Sequence, residues 1–263
     1  MNYTMITGAS SGIGLEYAQQ LAALGHNIVV VSNQREANDM VATMLVRDYH
    51  VHAIPLFADL ANENSAQEIY DYCHQNGIVV DILISNAGIL HFGKLVHSNE
   101  ADIRRILNLH CLVPTLLCRL FAKDMCQRHH GHILLMSSMA AWTPLPTMSL
   151  YGATKTYVRN FGQSLWYELR PEGVSVTTIC PSAVDTHFFK LDDKVRKRLR
   201  RIGIIITPQR LVRGALKAMF AHRRRYIPDI WTHIEIALCN ITPPCIFRLF
   251  FKIPYFRNLL NTL

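Results

Sequence analysis

"TGASSGIG" runs from Thr7 to Gly14, directly after the apolar stretch "YTMIT" (3–7) and directly before the helical "LEYAQQLAALG". Glycines at 8, 12 and 14 let the chain turn sharply, bring backbone N–H groups up to a pyrophosphate and pack the following helix closely on a sheet. The helix N-terminus adds a dipole that favours the anion. Strand, glycine loop and helix in that order imply a dinucleotide cradled by Gly8, Ser10, Ser11, Gly12, Ile13 and Gly14.

Five more apolar runs follow with helical stretches between them: "NIVVVS" (27–32), "HAIPLF" (52–57), "DILIS" (81–85), "HILLMS" (132–137) and "VSVTTIC" (174–180). Runs apolar on both faces belong in a parallel sheet covered on both sides. The pattern therefore predicts an α/β fold: a doubly wound, mostly parallel, Rossmann-type sheet flanked by helices. "RPEG" (170–173) stops the helix that begins near 150. No linker or repeat divides the chain, which reads as a single domain: residues 1–229 form the dinucleotide-binding unit and 230–263 its apolar C-terminal extension. That extension is interrupted by Glu235, Pro243, Pro244, Arg248, Lys252 and Arg257, and so falls short of the roughly 20 uncharged helical residues that a bilayer span needs.

Half of the 263 residues are hydrophobic, enough for a sizeable core. The first apolar run starts at Tyr3, so no secretory leader is expected. Seven cysteines, odd in number and without CxxC spacing, argue against disulfides and zinc and for a reducing, cytoplasmic compartment. The net charge of +8 is concentrated between Lys190 and Arg225, where thirteen Lys/Arg face only Asp192 and Asp193. Its centre, "KVRKRLRR" (194–201), reads either as a solvated basic face or as a surface for phosphates or an anionic membrane; with no interleaved aromatics, nucleic acid is not expected. "HHGH" (129–132), His91 and His97 read as exposed loop histidines, with no metal site.

"SLYGATKTYV" (149–158) places Tyr151 and Lys155 four residues apart, hence on one helix face. An ammonium beside a phenol favours the phenolate and pulls its pKa down from about 10, so the spacing reads either as an acid/base device or as a chance pairing that the rest of the chain must decide. Asp59, in "ADL" after the third run, stands where a carboxylate accepts the adenine amino hydrogens or caps a helix. "SNAG" (85–88) is a small turn-forming segment after the fourth.

TGxxxGIG, the strand-end Asp59, the NAG turn, "SS" at the end of the fifth run and YxxxK thirteen residues beyond Ser138 fall in order across residues 4–186. Together they resemble the short-chain dehydrogenase/reductase family. "ILNLHCLVP" and the stretch from "ILLMSS" through "YGATK" are most similar to its branch of 17β-hydroxysteroid dehydrogenases and very-long-chain 3-oxoacyl-CoA reductases. The resemblance implies that Tyr151 gives its proton to a carbonyl oxygen that Ser138 also hydrogen-bonds. Lys155 would lower the phenol's pKa and hold the nicotinamide ribose. Asp59, Leu60, Asn86, Ala87, Gly88, Pro181, Val184 and Thr186 would complete the cofactor site, together with Tyr151 and Lys155. An oxidoreductase follows, interconverting a ketone and a secondary alcohol on a lipophilic substrate of hydroxysteroid or long-chain 3-oxoacyl type. The rival reading is a catalytically weak protein of the same fold, acting as a cofactor sensor or membrane-docked scaffold.

Two departures from the family pattern stand out. His110 occupies the place of the usual catalytic Asn, where it would serve the proton relay by its own exchange near neutrality; otherwise the relay is lost or Asn108 substitutes. Ser182 replaces the glycine of the usual Pro-Gly turn. At the end of "VVVSNQRE", Ser32, Asn33 and Gln34 are neutral and Arg35 is close, which favours NADP(H) over NAD, although Arg35 stands two positions later than the family's usual Arg. Phe188 and Phe189 would cover an apolar substrate, while Lys194–Arg201 and the tail would touch a membrane peripherally. A homo-oligomer is compatible with all of this.

Overall fold

Met5 and Ile6 are neighbours in β1 (Asn2–Thr7), both fully buried, and they serve different cores. The alternation continues in β2 (Asn27–Ser32), where Ile28 and Val30 join Tyr17, Leu21 and Leu211, while Val29 and Val31 join Leu83, Leu117 and Phe121. Strands apolar on both faces must be covered on both, and helices lie on each side.

The computed structural model describes residues 1–143, 147–186, 205–243 and 246. Its sheet continues through β3 (Ala53–Phe57), β4 (Val79–Ser85), β5 (Gly131–Met136), β6 (Val174–Ile179) and a two-residue β7 (Arg225–Tyr226). Every neighbouring pair is parallel, in the order β3-β2-β1-β4-β5-β6-β7. The winding reverses between β1 and β4, and the crevice beyond the carboxyl ends of such strands is where doubly wound sheets hold ligands. All six apolar runs are strands. The seventh strand was not expected, because "RY" is too short and too basic to show as an apolar run; it is specified by its pairing with Thr178 and Ile179.

The helices are α1 (Gly12–Ala23), α2 (Arg35–Tyr49), α3 (Ser65–Gln75), α4 (Glu100–Leu107), α5 (Val113–Gln127), α6 (Ser149–Leu169), α7 (Pro208–Phe220) and α8 (Ile230–Ile241). A π-helical turn, Asn108–Leu112, joins α4 to α5. The joined run, Glu100–Gln127, is long and apolar enough to cross a bilayer by length and composition. Its Val113, Leu117, Phe121 and Met125 instead pack on the sheet. Of the extension, α8 packs near the short 3₁₀ turn Met139–Ala141, with Thr232 wholly buried and Ile230, Ile234, Leu238 and Ile241 exposed. Phe188, Phe189, Lys194–Arg201 and residues 247–263 lie outside the described residues.

Candidate active site

A cavity of about 720 Å³ opens at the carboxyl ends of the central strands. The glycine loop forms one wall, and its backbone demands glycine twice: Gly8 and Gly12 have φ of 67° and 56°. At Gly8 a Cβ would also lie 2.9 Å from the Ala87 Cα. Asn86 ties the two loops together, donating from Nδ2 to the Thr7 carbonyl at 3.0 Å while its N–H reaches the Thr7 hydroxyl at 3.0 Å. At the start of α1 the Ser11 side chain makes no cap and no acidic residue occupies the first turn, so the end N–H groups are left for an anion. Gly8, Ser10, Ser11, Gly12 and Ile13 line the cavity; Gly14 does not, because it packs against the Gly8 carbonyl and Asn86. These features fit the phosphates of a dinucleotide.

Ser32, Asn33, Gln34, Asp59 and Leu60 line one end. Asp59 accepts from the Ala61 N–H at 3.1 Å through one oxygen, so it shapes the local turn as well as facing the cavity. Arg35 stands apart: it begins α2, its guanidinium lies 4.7 Å from the centre of the Phe57 ring, and it is not among the lining residues.

At the other end α6 presents Tyr151 and Lys155 on one buried face, with Ser138 at the end of β5. Lys155 Nζ donates to the Met136 carbonyl at 3.0 Å and sits 5.6 Å from the centre of the Tyr151 ring. The Ser137 hydroxyl donates to the Lys155 carbonyl at 2.8 Å, pinning the helix to the strand end. Burial pushes the Tyr151 phenol up to about 12, with the facing Ser138 side chain pulling the other way. Burial lowers Lys155 to about 8. The expected lowering of the phenol by Lys155 is not found: burial dominates, the opposing pull comes from Ser138, and the Lys155 ammonium is set beyond the ring on the Met136 carbonyl.

His110 is buried beside the cavity and is not among its lining residues. Its Nε2 accepts from the Ile89 N–H at 3.0 Å and its Nδ1 meets the Thr154 hydroxyl at 2.9 Å. Gly88 makes room for it, since a Cβ there would lie 3.0 Å from Nε2. Burial first, and then the Lys155 charge, hold the imidazole well below its ordinary pKa. Both ring nitrogens are thus engaged within the fold, and the direction of the shift runs against a charged imidazole. Asn108 does not substitute, because it donates to the Ala61 carbonyl at 2.8 Å. The π turn coincides with His110, and such turns cluster at functional sites.

Ala87, Gly88, Pro181, Val184 and Thr186 also line the cavity. Ser182 lines it too, without left-handed backbone, and its hydroxyl donates to Glu235 Oε2 of α8 at 2.9 Å. Replacing glycine there therefore costs no strain and gains a partner. Thr154, Ser137, Arg105, Leu109 and Glu235 were not anticipated. Helix spacing gives a signal for one of them: Arg105 stands one turn before Leu109, and both line the cavity. The reading of "HHGH" as exposed loop is also corrected, for His132 lies inside β5, buried, with Nδ1 unpartnered. Among the described residues, no group of three or more potential ligands could hold a metal ion.

The profile of the short chain dehydrogenase family matches residues 2–197. The human very-long-chain 3-oxoacyl-CoA reductase is 30% identical over 195 residues, 72% of this chain and 61% of that protein's length. The 17-beta-hydroxysteroid dehydrogenase type 3 of Danio rerio is 30% identical over 191 residues, 70% of this chain and 61% of that protein. Among solved structures, a short-chain dehydrogenase from Sphingobium yanoikuyae in complex with NADPH superposes with a TM-score of 0.78 at 29% identity, covering 90% of this chain and 93% of that one. The bulky-bulky ketone specific alcohol dehydrogenase from Comamonas testosteroni gives 0.77 at 28% identity, covering 93% and 96%.

Proposed function

Since the chain belongs to the short-chain dehydrogenase family, an oxidoreductase family that uses a nicotinamide cofactor, we propose that it is an NADP(H)-dependent reductase of a lipophilic ketone, of long-chain 3-oxoacyl or hydroxysteroid type. The observation that carries this is the meeting of Tyr151, Ser138 and Lys155 at an apolar end of the cavity, where Ile106, Ala140 and Tyr151 form a cluster with Ile89, Leu90 and Met148. Ketones of that kind bury apolar carbon and offer a single polar oxygen. The relatives' names and the NADPH complex support the substrate class and the cofactor.

A bound nicotinamide would supply the hydride. Tyr151 supplies the proton to the carbonyl oxygen, and Ser138 hydrogen-bonds that same oxygen, steadying the charge that develops on it. Lys155, held by Met136, sets a positive charge behind the phenol. Gly8, Ser10, Ser11, Gly12 and Ile13 would hold the phosphates, Asp59 and Leu60 the adenosine, and Asn86, Ala87, Gly88, Pro181, Val184 and Thr186 the nicotinamide half. In this reading residues 230–263 belong to the same domain and the protein touches a membrane peripherally from the cytoplasmic side; the exposed apolar face of α8 and, separately, the basic composition of Lys194–Arg201 support that contact.

The test is NADPH consumption against a panel of 3-oxoacyl-CoA and steroid ketones, with Tyr151→Phe as control. Turnover with at least one panel member is expected, falling by at least about 10² in the variant. Tight cofactor binding with no turnover on any ketone would favour the sensor or scaffold instead.

A further inference from the structure

We propose that Arg105 binds a phosphate of the adenosine nucleotide that enters the cavity, an inference that rests on the reductase reading. Arg105 is exposed on α4 and lines the cavity. Its neighbour Arg104 is committed to Glu100 at 2.6 Å, whereas Arg105 makes no ion pair among the described residues. Among the described residues that line the cavity, only Arg105 and Lys155 are cations, and Lys155 is engaged with Met136 among the catalytic groups.

The helix face decides which end Arg105 serves. Ile106, the next residue, packs with Tyr151 and Ala140 and so addresses the catalytic end. Arg105 is on the side of Leu109, one turn on, and of Asn108, which bonds the Ala61 carbonyl. The Asn108–Ala61 bond sets that side against the segment that carries Asp59 and Leu60, which line the cavity. There Arg35, the cation the sequence suggested, is turned onto Phe57. A guanidinium presents a planar fork of donors suited to a phosphate, and one without a carboxylate partner is available for it.

Arg105→Gln and Arg105→Lys separate the sources of the phosphate. Dissociation constants are measured by calorimetry for NADPH, NADH, adenosine 2′,5′-bisphosphate and coenzyme A, with the thermal midpoint as a check that the exposed substitution leaves the fold intact. The expected result is at least about tenfold weaker binding in the Gln variant, the loss of one charge-assisted contact, with partial recovery in the Lys variant. Loss for NADPH and the bisphosphate alone assigns Arg105 to the 2′-phosphate. Equal loss for NADPH and NADH assigns it to the pyrophosphate, and loss for coenzyme A alone to the substrate's nucleotide. Constants within twofold of wild type for all four probes overturn the proposal. A wild-type protein that binds none of them overturns the reductase reading itself, and this inference with it.

Discussion

His110 Nδ1 donates to the Thr154 hydroxyl across 2.9 Å, and that hydroxyl spends its single hydrogen on the Tyr151 carbonyl at 2.8 Å. With Nε2 accepting from Ile89, the tautomer is fixed and the imidazole bridges the 86–90 loop to the helix that carries Tyr151 and Lys155. It acts as a brace. The expected outcome is a pH profile of turnover between 5 and 8 without a step that His110→Asn removes, because burial and then the Lys155 charge hold the imidazole well below its ordinary pKa. His110→Leu, which loses both bonds, is expected to lower turnover and to speed amide exchange at Ile89. An inflection near pH 6.5 present in wild type and absent in the Asn variant would restore the relay.

Lys155 illustrates a conflict between stability and function. Its folded pKa, about 8, lies below the ordinary 10.5 because of burial, so the folded state resists the proton that the unfolded chain accepts. The penalty is full below about pH 8 and is relieved as pH rises toward 10.5; by linkage it amounts to about 3 kcal/mol at neutrality. Lys155→Met removes it and orphans the Met136 carbonyl, which costs about 1 kcal/mol back. The variant is expected to melt several degrees higher than wild type at pH 7 while losing turnover. A lower melting point would mean that the amine contributes more to the fold than its desolvation costs.

The parts of this site that were legible in the sequence are those written in local spacing. The glycine loop depends on three residues in eight, and the Tyr151–Lys155 pair on one helical turn. What escaped depends on distant partners. Thr154 gains meaning only when residue 110, 44 positions away, is brought beside it. The direction of the Tyr151 shift escaped for the same reason: spacing shows that a lysine is near, but burial, set by the whole fold, is what dominates the phenol. The sequence shows Arg35 near the end of β2, where it begins α2, but its side chain's choice of Phe57 is a tertiary fact. The two-residue β7 exists only because β6 offers it an edge.

His132 predicts how the protein responds to acid. Burial, and then the neighbouring His222, His130 and His26, lower its pKa to about 4. A base with a depressed folded pKa contributes stability that is full above the unfolded value of about 6.5 and is lost as pH falls toward 4. The thermal midpoint of wild type is expected to drop over that window, and His132→Phe, which keeps a ring against Phe220, to flatten the drop. Parallel midpoint-versus-pH curves for the two proteins would clear His132 of responsibility.

Ser182 and Glu235 join the turn after β6 to α8, and their bond sets a prediction about substrate binding. Glu235 is half-buried and its carboxyl is raised by burial, while the Ser182 hydroxyl, its hydrogen-bond partner, partly offsets this. Ser182→Gly removes the donor and frees the turn, since Ser182 does not occupy the left-handed region that glycine alone enters comfortably. The loss in stability should stay near 1 kcal/mol, because Glu235 can turn to water. The kinetic consequence should fall on KM, because Ser182 borders the cavity and α8 packs beside the Met139–Ala141 turn, whereas neither residue of the pair has a role with the reacting oxygen. Steady-state kinetics with a bulky ketone, alongside hydrogen exchange over residues 230–241, should show a raised KM, a nearly unchanged kcat and faster exchange in the helix. A fall in kcat with KM unaltered would move Ser182 from the wall of the site into its chemistry.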